Sequence, residues 1–130
     1  MFPSSRPRSL YFVLSLRPCF FAPSYLDTRF ASISVLCINY RVKGLRSIGR
    51  LFPNLSVIRG HSLFINYALV AFEMMNLQEI GLHSLTTIVR GSVRFEKNPA
   101  LCYVDTIDWD LIAKAGKGEH VIAVSYYQTS

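Results

Sequence analysis

Two near-copies of one short pattern constrain this chain more than anything else in it. The first runs from Ile58, Arg59 and Gly60 to Asn66, Ala68 and Leu69, and the second from Ile88, Arg90 and Gly91 to Asn98, Ala100 and Leu101. The Gly positions are 31 apart and the Asn positions 32 apart. That single-residue excess is the mark of a β-bulge, expected in the second copy. A second apolar segment precedes each copy: Leu51, Phe52, Leu55 and Val57, then Leu82 and Leu85. Repeats of about 30 residues point to stacked coils, each with an apolar face that only its neighbour can cover. The expected fold is mainly β, a piece of a β-solenoid.

The remaining elements follow from local chemistry. Val35 to Val42 reads as a strand buried on both sides, and Gly44 permits a turn. Phe52-Pro53-Asn54-Leu55 reads as a corner, because proline fixes φ and has no N–H for a ladder. Leu63–Phe72 reads as a strand with its exit turn, leaving Met74 and Met75 as gap fillers. In Gly91–Lys97, Val93 and Phe95 point one way while Arg94 and Glu96 point the other. Asn66 and Asn98 are read as equivalent corner residues whose amides satisfy backbone groups. Asp105 or Thr106 is expected to cap a helix with Ile107, Leu111, Ile112 and Ala115 on its apolar face, ended by Gly116. Trp109 sits in that face or closes the end of the stack.

Charge removes one class of function. The formal net charge of +6 comes from residues 1–50, where eight Lys and Arg face Asp27 alone. Residues 51–130 hold six basic and seven acidic residues, so the repeat region offers no basic surface for phosphates. Nucleic acid is not an expected partner. No apolar run reaches the ~20 residues needed to cross a bilayer. Residues 1–34 contain a minimal signal-like core, Leu10–Leu16, but Arg17 and Pro18 stand where small residues belong. They are read either as a weak signal peptide or as sequence foreign to the domain, joined by an incorrect gene model.

The segments LFPNLSVIRG, NYALVAFEM, IVRGSVRFEKN and LCYVDTIDW, in this order and spacing, resemble the first receptor L domain of the insulin receptor family. The resemblance covers roughly residues 38–122 and divides the chain into a non-matching segment 1–34, a partial L domain 35–123 and a divergent tail 124–130. It implies a mainly β fold, a partial right-handed β-solenoid, leucine-rich-repeat-like, with a short C-terminal helix. It also implies an extracellular, non-catalytic piece of a transmembrane receptor tyrosine kinase that binds an insulin-like peptide hormone. The partners implied are the rest of the ectodomain and a second receptor chain. Carried over by motif, the ligand contacts are Phe64, Ile65, Tyr67, Val70, Phe72 and Glu73, then Arg94, Glu96 and Lys97, with Tyr40 from the preceding coil. Phe64 and Ile65 are adjacent, so in a regular strand one of them belongs to the core. The resemblance also implies a glycan on Asn54 of Asn54-Leu55-Ser56, and a disulfide from Cys102 to a cysteine beyond Ser130.

Other chemistry has little support. Cys19, Cys37 and Cys102 lack zinc spacing, and His61, His83 and His120 are scattered. No cofactor, metal or catalytic residue is expected. Arg90-Gly91-Ser92 is too slight for a phosphate loop, and Asp105, Asp108 and Asp110 suit helix capping better than calcium. A short secreted decoy, or a structural solenoid that binds without signalling, is the alternative reading.

Overall fold

The computed structural model describes residues 31–40 and 42–123, together with the strand Phe12–Leu14. The rest of the signal-like segment and the tail 124–130 lie outside the described residues. The chain is mainly β. Strands β1 (Phe12–Leu14), β3 (Leu36–Asn39), β5 (Tyr67–Phe72), β7 (Ser92–Glu96) and β8 (Val121–Ile122) form a five-stranded sheet in that order. Strands β2 (Ser32–Ile33), β4 (Val57–Ile58) and β6 (Thr87–Ile88) form a second, three-stranded sheet. Every ladder in both sheets is parallel. Between β2 and β7 the chain passes from one sheet to the other and back, consistent with the coiled architecture that the resemblance implies.

Register explains the core. Leu36, Leu69 and Val93 are level with one another, as are Ile38, Ala71, Phe95 and Ile122, and the first three of each row are buried. Across the interior, Ile33, Ile58 and Ile88 form the matching row of the smaller sheet. Phe52, Leu55, Leu77 and Leu85, from the connections, fill the space between. The Phe52–Leu55 corner forms as expected: its two apolar residues are buried and Pro53 and Asn54 are exposed. Removing a ring such as Phe95 would cost about 3–5 kcal/mol.

Several expectations need correction. The bulge lies in the first copy, where the register slips between Tyr67 and Leu69, so Ala68 is the extra residue. Asn66 and Asn98 are not equivalent. Asn66 is exposed and precedes β5, whereas Asn98 is buried after β7, its Nδ2 donating to Ala71 O and its Oδ1 accepting from Met74 N. The two copies do not correspond Asn to Asn, because the first spends residues 61–66 on an excursion that the second lacks. Only Tyr67–Phe72 is strand, and Met75 is exposed rather than filling a gap.

The C-terminal end also differs. The helix α1 (Trp109–Ile112) is a single turn capped by Asp108, whose side chain accepts from Leu111 N. Asp105 and Thr106 lie instead in a preceding 3-10 turn. With one turn there is no long apolar stripe, so Leu111 and Ala115 are exposed and Ala113 is buried. Trp109 closes the core against Phe95, with ring centroids 5.3 Å apart and its Nε1 donating to Val104 O. Strand β8 was not foreseen. It extends the larger sheet beyond β7, and His120 Nδ1, just ahead of it, accepts from Val93 N at 3.2 Å.

Candidate ligand-binding face

The outward side of the larger sheet carries the residues that the motifs singled out. Strand alternation would send Tyr67 and Val70 to opposite sides, since they are three positions apart. The Ala68 bulge cancels that parity, so Tyr67, Val70 and Phe72 share one side. There they join Phe64 in an apolar cluster separate from the main core, built on buried Val70 and Cys37. Cys37, level with Val70, is disulfide-bonded. It was not among the expected site residues, and its place beneath the cluster follows only from register.

Phe64 reaches this cluster because it is not in a regular strand. Phe64 and Tyr67 exchange two backbone hydrogen bonds, 2.9 and 2.8 Å, across the two-residue loop Ile65-Asn66. Ile65 has φ of +60°, which makes this a type II′ turn. The expectation that one of Phe64 and Ile65 is core therefore fails. Phe64 packs on the outer cluster, while Ile65 stands at the turn tip, 65% exposed. Glycine normally occupies that position, so nothing in Ile-Asn announces the turn.

Charge lies beside the apolar cluster. Arg94 Nη2 donates to Glu96 Oε1 at 2.9 Å, an ion pair between part-exposed partners worth under about 1 kcal/mol. That hydrogen bond, with further attraction from Glu96 and Tyr67, raises the pKa of the Arg94 guanidinium despite its desolvation. The guanidinium lies 5.6 Å from the Tyr67 ring centroid, and the Lys97 ammonium 5.5 Å from that of Phe72. Such cation–π contacts are worth about 0.5–1 kcal/mol at exposed sites. Arg94 Nε is buried without a hydrogen-bond partner among the described residues.

Tyr40, Glu73 and Lys97 follow directly on Asn39, Phe72 and Glu96, which are level in the sheet. The structure thus gathers nine of the ten expected residues on one side and its corner, with Ile65 at the adjoining turn tip. Asn54 is exposed in the approach to β4 of the smaller sheet, away from this side. Cys102 is half-buried past β7, its Sγ donating to Ala100 O at 3.7 Å. Among the described residues no group of three or more His, Cys, Asp or Glu could hold a metal ion. No helix of the described residues is long and apolar enough to cross a membrane.

The described residues thus form a parallel two-sheet fold whose larger sheet has an aromatic and charged outer side. Residues 35–113 match the family model of the receptor L domain. The chain is 63% identical over 83 residues to the insulin-like peptide receptor of Branchiostoma lanceolatum, covering 64% of this chain and 6% of that protein. It is 49% identical over 104 residues to the insulin-like growth factor 1 receptor of Xenopus laevis, covering 78% of this chain and 8% of the relative. With the insulin receptor of Xenopus laevis it shares 50% identity over 93 residues, 72% of this chain and 7% of the relative. This chain belongs to the receptor L domain family, and within it to the insulin receptor group. It spans under a tenth of the length of these relatives.

Proposed function

We propose that this chain is a ligand-binding L-domain segment of an insulin-like receptor, holding a peptide hormone non-covalently on the outer side of its larger sheet. In this reading the two parallel sheets are two sides of a right-handed β-solenoid, and the parent protein is a transmembrane receptor tyrosine kinase. The domain is extracellular, with a glycan on Asn54, and Cys102 forms a disulfide to a following cysteine-rich module. The hormone is shared with the rest of the ectodomain and with a second receptor chain.

The observation that carries the reading is the convergence of Phe64, Tyr67 and Phe72 on Val70, with Arg94, Glu96 and Lys97 alongside. An apolar centre with a charged rim is the anatomy of a protein-binding surface. Here desolvation of the aromatic residues supplies affinity, and the rim sets orientation. The test is hormone binding by the full ectodomain carrying Phe64→Ala or Arg94→Ala. Each should weaken affinity about tenfold or more, as hot-spot truncations do. Unchanged affinity in both would refute the site.

A further inference from the structure

The connection that leads from β3 to β4 carries a charge pattern that the fold does not require. Lys43, Arg46 and Arg50 stand there within eight residues that contain no acid, and all three are exposed. Val42, Leu45, Ile48 and Leu51, at every third position, pack on the core and leave the cations outside. Backbone bonds to the next coil fix the connection: Gln78 N and Glu79 N donate to Arg46 O, and Gly49 N donates to Ile80 O. That coil adds exposed Gln78 and His83, with Glu79 as its one acid between Asn76 and Ser84. Cations elsewhere have partners. Arg59 Nε donates to Ser32 Oγ, Arg90 Nη1 to Gly60 O and Arg94 Nη2 to Glu96 Oε1, while Lys97 lies over the Phe72 ring. Lys43, Arg46 and Arg50 have no ion pair or side-chain hydrogen bond among the described residues. Like charges gathered in one short connection repel one another, and no contact within the fold offsets that.

We propose that this strip binds a sulfated polysaccharide chain, at a site between the two sheets and apart from the hormone face. The strip stands on its own observations; only the choice of an extracellular polyanion rests on the function proposed above. Arg46 and Arg50 each present a rigid fork of N–H donors suited to oxyanions, and Lys43 adds a compact charge. A linear polyanion engages cations spread along a connection together, and each contact releases counterions. The strip suits other anionic partners less well. None of the exposed large apolar side chains falls in residues 43–50, so nothing here inserts into a bilayer surface. The same lack leaves no aromatic platform on which the bases of a nucleic-acid single strand could stack. Sulfate groups on a hydrated chain need neither, since charge and N–H donors suffice.

The experiment measures binding of the full ectodomain to immobilised heparin over a range of salt concentrations. Wild type is compared with the triple variant Lys43→Gln, Arg46→Gln, Arg50→Gln, and with a control, Lys114→Gln, Lys117→Gln, that removes exposed charge elsewhere. Because the three strip residues are exposed, the triple variant should keep the wild-type unfolding temperature. It should bind heparin about tenfold or more weakly at physiological salt, with a shallower salt dependence, while the control binds as wild type does. Insulin affinity, measured on the same proteins, should not change. The inference fails if wild type does not bind heparin, or if the triple variant binds it as tightly as wild type. It fails equally if wild type holds non-sulfated hyaluronan, duplex DNA or phosphatidylserine vesicles as tightly as heparin, or if the triple variant loses insulin binding. Heparin binding that follows the strip, with no binding of insulin or insulin-like growth factor 1 by wild type, would sink the hormone reading alone.

Discussion

Ile65 shows how a single residue can oppose the fold that contains it. A β-branched side chain at positive φ is unfavourable, and its exposed position at the turn tip offers little burial in return. Ile65→Gly should therefore raise fold stability by about 0.5–1 kcal/mol, the left-handed cost removed less the added chain entropy. A shift in the denaturation midpoint checks this, and hormone affinity measured on the same variant should fall. Arg94 offers the same contrast. Its ion pair is worth little and its Nε has no hydrogen-bond partner among the described residues, so Arg94→Met should leave stability within about 1 kcal/mol of wild type. In the proposed function the same change removes a charge that orients the peptide, so binding should weaken. Separate measurements of unfolding and binding should respond differently, and a large loss of stability would refute the assignment.

Among the elements, the turns after the strands matter more than their modest lengths suggest. Asn98 bridges Ala71 O and Met74 N within the buried corner that ends β5. Asn98→Ala should cost about 2–4 kcal/mol, because two backbone groups are left unsatisfied, and faster amide exchange at Met74 should accompany it. Likewise His120 supplies the acceptor for Val93 N where β8 joins the sheet, and it is only 8% exposed. His120→Ala should loosen β8 without disturbing β5, readable as exchange confined to residues 93–95 and 121–123. Neither role could be read from the sequence. Asn98 was visible as a corner residue, but its partners depend on a register that the bulge at Ala68 resets. The hairpin at Ile65 carries no turn signal, and the four-residue helix is too short to show a period.

For the molecule as a whole, the repeat was legible because apolar rows must recur wherever parallel strands stack. Alternation in Gly91–Lys97 placed Val93 and Phe95 inside, as the structure does. The candidate side was suggested by the family motifs, not by periodicity, and Cys37 escaped because only three-dimensional register brings it to that side. A further consequence lies in the pairing itself. Each parallel rung joins residues far apart in sequence, from 24 for Leu69 and Val93 to 33 for Leu36 and Leu69. Closing a loop of either length costs almost the same entropy, since the cost grows only as the logarithm of length. No rung has a kinetic head start, and the hairpin at Ile65 is too small to seed the rest. Contact order this high places refolding in the millisecond-to-second range, and a chain emerging from the ribosome would add its rungs in the order they are made.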